Sequence, residues 1–394
     1  MDCNVYRVGA GFVAITIALG AASVLLQRRA AVEAAGAQAP MFEVDPMWPK
    51  PLPNHWVMGW TVGVAVDAQD HVWIVHQASK LEPPELYGAN NAASCCFAAP
   101  PVLEFNQAGD LIGHWGGPGE GYDWPDPHGV TVDYKGNVWI AGNAARDAQV
   151  LKFTQAGKFL LQIGHAGQSK GSNDVQNLNK ATKVIVDPAA NEAYVSDGYG
   201  NRRVIVYDAE TGQYKRHWGA YGHKPDDTNL GPYNPDAPPA QQFRNPVHCV
   251  ELANDGLLYV CDRVNDRIQV FHKDGTFVKE AFIAKRTLGD GSVFDIAFSK
   301  DPQQKFIYLA DGSNDKVYIM DRDSLEVLTS FGDGGRQPGQ FYAIHSIATD
   351  SKGDIFTAET RRGQRVQKFA YKGTGTVTKK DQGVLWPKTA KSPM

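Results

Sequence analysis

The chain has 394 residues, 43% of them hydrophobic and 40 of them glycine, enough to bury a large core in one all-β domain or in two smaller units. Its formal charge of −4 arises from 39 basic and 43 acidic residues that are scattered rather than clustered. No basic patch or stripe marks a nucleic-acid partner, so that class is set aside.

The first predicted element lies outside the fold. Val8 to Leu26 is a continuous apolar run, long enough for the core of a signal peptide or for one membrane span. Arg7 precedes it and Ala35-Gly36-Ala37 offers a small-residue cleavage site, yet Arg28 and Arg29 intervene where such a substrate is normally neutral. Residues 1–40 therefore read as a cleaved signal peptide or as a membrane anchor through residues 8–26, followed by a small-residue linker. Either reading exports the body of the protein to a periplasmic or extracellular space, although arginines on both flanks leave the orientation weakly signalled.

From about Val62 the chain repeats one unit: apolar strand, Asp-rich turn, aromatic strand, polar loop, third strand, Asp/Gly turn, fourth strand. First strands read VGVAVD, HGVTVD, TKVIVD, HCVEL, FDIAF and HSIATD; second strands read HVWIVH, NVWIAG, EAYVSD, LLYVCD, FIYLAD and DIFTAE. Short strands with turn signals every few residues predict antiparallel sheet throughout. Six units, each of roughly 40–50 residues, predict an all-β, six-bladed β-propeller of four-stranded blades. The sixth unit shows only a third strand, RVQKFAYKG, so MFEVDPMW (41–48) is expected to complete it and close the ring, which removes exposed edges. The propeller is thus placed at 41–375, with a C-terminal tail at 376–394.

Cys249 and Cys261 flank the turn Asn254-Asp255-Gly256 symmetrically and read either as a cross-strand disulfide or as two buried thiols. Cys95 and Cys96 are adjacent in a loop, where a vicinal disulfide is conceivable and no zinc spacing is matched. Asp67, Asp133 and Asp187 close first strands and read as turn residues.

Three histidines share one register: His128 in DPHGVTVD, His248 in PVHCVEL and His345 in AIHSIATD open the first strands of units two, four and six. In a closed ring the start of a first strand and the end of a second strand lie on one face of the disc. Alternate blades would then aim three imidazoles at the channel mouth, beside His76, Tyr199 and Arg263 from second-strand ends and the loops after them. Three neutral imidazoles with an open fourth position is the pattern of a catalytic zinc site, and ligand type alone also admits cobalt, manganese or iron. Each histidine also has a blander reading as a satisfied polar residue at a strand start. Tyr199 reads equally as a loop tyrosine packed between blades, while Arg263 and Arg202 read also as residues that stitch neighbouring blades together. His76 is either a second donor near the site or merely a strand end.

The loops Asp197-Gly-Tyr-Gly-Asn-Arg-Arg, Asp262-Arg-Val-Asn-Asp-Arg and Asp311-Gly-Ser-Asn-Asp-Lys resemble NHL repeats, over nearly the whole chain after the leader. Within that group the chain resembles the peptidyl-α-hydroxyglycine α-amidating lyase family, and most of all uncharacterised exported bacterial propellers. The resemblance implies zinc on His128, His248 and His345, a base at Tyr199 in Asp197-Gly198-Tyr199, and a substrate-carboxylate ligand at Arg263. It implies a reaction in which Tyr199, deprotonated beside the metal and cationic side chains, takes the hydroxyl proton of a carbinolamide. The C–N bond then breaks to an amide and an α-keto acid. The chain departs from the family at three places. Gln77 stands where the family carries an arginine, Gly200 stands for its cysteine beside the tyrosine, and Ser346 stands for an acid that contributes to a structural calcium site. The expected partner is a small-molecule or peptide substrate. A metal-dependent hydrolase on the same scaffold and a non-enzymatic NHL binding scaffold remain the alternative readings.

Overall fold

The computed structural model describes residues 36–387. The leader, and with it the choice between signal peptide and anchor, lies outside the described residues; among those described, no helix is long and apolar enough to cross a membrane.

Six four-stranded antiparallel sheets form the blades of a propeller. Their innermost strands are Trp60–Val66, Pro127–Val132, Ala181–Asp187, Val247–Leu252, Asp295–Phe298 and Ile344–Thr349. Each touches the next, and the innermost strand of blade 6 touches that of blade 1, so the ring is closed. Closure is made within blade 6, where Gln38–Asp45 pairs antiparallel with Arg365–Thr376 and supplies the outermost strand. That strand starts three residues ahead of the expected Met41. Part of the segment expected as a tail is docked: Ser330 N donates to Lys380 O and Gly332 N to Gly383 O at the outer edge of blade 5, and Val44 N donates to Leu385 O from the outermost strand of blade 6.

The core is divided among the blade interfaces. Trp73, Val75, Ile140 and Phe153 pack between blades 1 and 2, and Tyr259, Ile268, Ile296 and Leu309 pack between blades 4 and 5. A second strand faces a neighbouring blade on each side, so Val72–Gln77 and Glu192–Asp197 are buried at every position. This is why second strands read as unbroken apolar runs, whereas the outermost strand Leu111–Trp115 alternates half-buried with exposed. The Asp-rich turns are explained by hydrogen bonding. Asp67 Oδ1 accepts from the backbone of Gln69 and His71, and its Oδ2 accepts from Trp73 Nε1 at 2.9 Å; Asp133 repeats the arrangement with Lys135, Asn137 and Trp139. The NHL-like loops end in buried ion pairs, Asp197 with Arg203 and Asp262 with Arg267.

Candidate metal centre

Each site histidine sits in a β-bulge. Pairing of the first two strands skips residue 128 between Pro127 and Gly129, residue 248 between Val247 and Cys249, and residue 345 between Ile344 and Ser346. A bulged residue leaves the ladder, which re-aims its side chain and frees its carbonyl. Blades 1 and 3 carry the same irregularity at Val62 and Thr182. Their freed carbonyls meet the histidines of the preceding blades: His345 Nδ1 lies 2.7 Å from Val62 O and His128 Nδ1 lies 3.0 Å from Thr182 O. His248 Nδ1 makes the equivalent contact with Phe294 O at 2.5 Å. Even blades thus present imidazoles, and odd blades fix their orientation.

A carbonyl oxygen can only accept, so Nδ1 of each ring carries the hydrogen and Nε2 presents a lone pair. The three rings stand 4.7–5.0 Å apart between centroids, with ligand nitrogens within 4.8 Å of one another. Burial lowers His128 to about 4. Burial, and then the neighbouring imidazoles and Arg263, holds His248 and His345 well below the ordinary range. All three are therefore neutral near pH 7, the form that binds metal. This donor set fits a transition-metal ion with three nitrogen ligands and one side open.

Tyr199 fills the open side. Its hydroxyl lies 3.2 Å from His128 Nε2, 3.3 Å from His248 Nε2, and accepts from Arg263 Nη1 at 3.1 Å. Gly198 makes this placement possible, because a Cβ there would lie 2.0 Å from Val247 O, the residue before His248. Arg263, from blade 4, thus reaches across to blade 3, and its guanidinium lies over Phe294 at 4.7 Å and Tyr199 at 5.6 Å. Arg203 and Arg267 bond instead within their own blades and the segments that lead into them. Arg202 is the stitching residue of its pair, bound to Asn245 Oδ1 at 2.8 Å.

Of the two readings of His76, the geometry matches the strand end rather than the site donor. Gly59 N donates to its Nδ1 at 3.1 Å and its Nε2 donates to Pro100 O at 3.0 Å, so both ring nitrogens are tied to the loops of blade 1. Period-two alternation turns Gln77, rather than His76, toward the cavity. That cavity, of about 220 Å³, is lined by Gln77, His128, Tyr199, Arg263 and His345 together with Asp290 and Arg361. Sequence reasoning missed the last two. Arg361 follows Glu359 by two residues as Tyr199 follows Asp197, so the repeat register carried to the sixth unit would have found it.

The surroundings of Ser346 do not fit calcium. Its Oγ donates to Asp295 Oδ2 at 2.8 Å, and Asp295 Oδ1 pairs with the Lys183 ammonium at 2.8 Å, so the channel carboxylate already has its cation. Cys249 and Cys261 are disulfide-bonded across the strands beside His248, and Cys95 and Cys96 form a vicinal disulfide. A second cluster, Asp67, His71 and Glu104, is consumed by the turn and indole contacts of Asp67 and by a 2.8 Å contact of His71 with Glu104.

A six-bladed propeller carrying a bulge-mounted histidine triad is the class these observations define. No protein-family model matches the chain. Its homologues include amidating enzymes and NHL-repeat proteins. It is 28% identical over 250 residues to peptidyl-glycine alpha-amidating monooxygenase B of Xenopus laevis, covering 62% of this chain and 26% of that protein. It is 25% identical over 352 residues to peptidyl-alpha-hydroxyglycine alpha-amidating lyase 1 of Drosophila melanogaster, covering 82% and 59%. NHL repeat-containing protein 3 of Mus musculus matches at 27% over 277 residues, covering 66% and 67%. The chain thus spans about a quarter of the length of the amidating monooxygenase. Among solved structures, a streptogramin B lyase superposes with a TM-score of 0.52 at 12% identity, covering 85% of this chain and 98% of that one, which shows the shared propeller fold.

Proposed function

We propose that the chain is a metal-dependent lyase that cleaves the C–N bond of a small α-hydroxy-amide bearing a carboxylate. The observation that carries this reading is the convergence of three neutral imidazoles, one phenol and one buried guanidinium in a single cluster. His128, His248 and His345 would hold zinc or a similar divalent ion through their Nε2 atoms, with Nδ1 locked to backbone carbonyls. Such an ion, when bound, supplies Lewis acidity that makes a nearby hydroxyl easier to deprotonate.

Tyr199 Oη is placed to take the substrate's hydroxyl proton, since it already meets two ligand nitrogens and Arg263. Arg263 holds the substrate carboxylate through its remaining donors. As the C–O bond becomes C=O, the C–N bond breaks and its electron pair stays on nitrogen, which takes up the proton. The products are an amide and an α-keto acid, so atoms balance without an oxidant or added water. Export from the cytoplasm, through the segment before the fold, belongs to the same proposal.

The test begins with elemental analysis of protein purified without a histidine tag. About one equivalent of zinc or another divalent ion per chain is expected, lost on His248→Ala while the fold survives. Absence of metal from both forms would overturn the enzyme reading. Glyoxylate release from an α-hydroxyglycine peptide is expected of the loaded protein. A loaded, inactive protein would refute the lyase chemistry and favour hydrolysis on the same scaffold.

A further inference from the structure

We propose that Arg361 and Arg263 together form a seat for the substrate's carboxylate, and that Asp290 occupies this seat until substrate displaces it. The inference rests on reading the histidine cavity as the substrate site. Asp290 bridges the two guanidinium groups: Oδ1 lies 3.6 Å from Arg263 Nη2, and Oδ2 accepts from Arg361 Nη2. All three residues line the cavity that holds His128, His345 and Tyr199. A carboxylate between two guanidinium groups, at the edge of a cavity whose centre is chemically equipped, has the geometry of a bound carboxylate ligand supplied by the chain itself.

Three features make the occupant exchangeable. The Asp290 side chain is 42% exposed and that of Arg361 is 55% exposed, whereas that of Arg263 is 8% exposed, so the bridge lies at the mouth over a fixed buried arm. Exposed ion pairs of this kind hold weakly. Asp290 also stands between two left-handed glycines. Gly291 presses on Arg263, where a Cβ would lie 2.1 Å from its carbonyl oxygen, while Gly289 has open space around it. The loop is therefore anchored on one side of Asp290 and free to turn on the other.

The need for a second cation follows from Gln77. Its amide donates to Pro127 O at 3.1 Å and Asn143 Oδ1 at 2.8 Å, so that side of the cavity offers a neutral wall. Arg361 supplies the charge from the adjoining blade 6, at the mouth of the same cavity. Ligands with a free carboxylate are thus selected over their amides or esters, because a neutral group cannot displace Asp290.

Binding of hippurate and of its neutral amide to the full chain, measured by titration calorimetry, tests this directly. Asp290→Asn is expected to tighten hippurate binding by about threefold or more and to leave the amide unchanged. Arg361→Ala is expected to weaken hippurate binding by roughly tenfold, and the double variant should lose the gain from Asp290→Asn. Both positions are exposed, and matching thermal unfolding of the variants checks that the fold is retained. Unchanged or weaker hippurate binding in Asp290→Asn, an equal effect on the amide, or no hippurate binding by any form would overturn the seat. Carboxylate-selective binding without glyoxylate release would leave the seat standing and sink the lyase reading. Glyoxylate release with no effect of Asp290→Asn would do the reverse.

Discussion

Lys183→Met probes how the far end of the channel supports the histidine end. The Lys183 ammonium, on the innermost strand of blade 3, reaches Asp295 of blade 5 at 2.8 Å and Glu251 of blade 4. The second Asp295 oxygen accepts from Ser346 Oγ at 2.8 Å and Ile347 N at 3.2 Å, and Ser346 Oγ in turn accepts from Val64 N at 3.2 Å. Five blades are thus tied through one cation, and Ser346 is the residue after His345. Burial pulls the ammonium's pKa down, but Asp295 and Glu251 outweigh it and hold the group above the ordinary lysine range. Methionine would fill the same space while leaving Asp295, whose side chain is 4% exposed, beside Glu251 with no counter-ion. Breaking a buried pair in this way costs about 3–5 kcal/mol.

The sign with pH follows. Burial already raises Glu251 against the opposing pull of Lys183, and loss of that lysine leaves its folded-state value further above the unfolded one. The penalty is therefore full near neutrality and recedes as pH falls and this carboxylate takes up a proton. Urea unfolding followed by tryptophan fluorescence, near pH 7 and again near pH 5, should show the difference from the parent chain shrinking at the lower value. Adding Asp295→Asn should restore roughly half of the loss, since the stranded charge is gone. Metal retention should weaken by roughly 10- to 100-fold, because the strand bearing His345 loses its support. A loss below about 1 kcal/mol that does not change with pH would refute this account of the channel.

Tyr199→Phe keeps the ring over Arg263 and against the histidines but removes the oxygen; glyoxylate release should fall by about 10²–10⁴-fold with metal content unchanged, and retained turnover would remove Tyr199 from the chemistry. Burial lowers His76 to about 4 from 6.5, so the folded state resists its protonation and stability is lost as pH falls from 6.5 towards 4. The loss reaches about 3 kcal/mol. His76→Gln should flatten the stability–pH slope in that window, and an unchanged slope would contradict the assignment. Replacing Cys249 and Cys261 by alanine opens a link with a sequence separation of 12 residues. Chain entropy sets the cost at about 3 kcal/mol, readable as a lower urea midpoint that added reductant no longer shifts.

The fold was legible because repetition made it so. Six in-register copies of a strand pair, four of them closed by an aspartate that accepts from a following backbone and in two blades from an indole, leave few architectures open. The ring closure was legible from a missing strand in the sixth unit. The histidine triad was legible from the same register, but its physical basis was not. A bulge is set by the pairing of two strands, and nothing in PHG, PVH or IHS announces that the histidine leaves the ladder. His76 stayed open between two readings because the end of a second strand has two faces, and only the structure shows that the neighbouring loops 59 and 100 hold the imidazole. Asp290 escaped notice because it reaches the cavity from a loop outside the repeat unit, where spacing carries no information.

The three departures from the amidating-lyase pattern take on a common meaning in the structure. Each substituted residue is satisfied locally: Gln77 by Pro127 and Asn143, Ser346 by Asp295 and Val64, and Gly200 by packing on Asn179, where a Cβ would lie 2.1 Å away. A decayed site would show buried donors left unpaired around its former ligands, since removing one partner strands the other. Here the replacements pair and the imidazoles keep their carbonyl supports, while Arg263 Nε is buried without a partner beside the cavity. Relative to that pattern, the wall of blade 1 is neutral at Gln77, a guanidinium stands at the mouth in blade 6, and a hydroxyl bonded to a lysine-neutralised aspartate stands in the channel. Such differences leave the histidine geometry intact while altering what can approach it, so on the proposed function, contrasts with the lyase relatives should appear first in substrate selection and only second in chemistry.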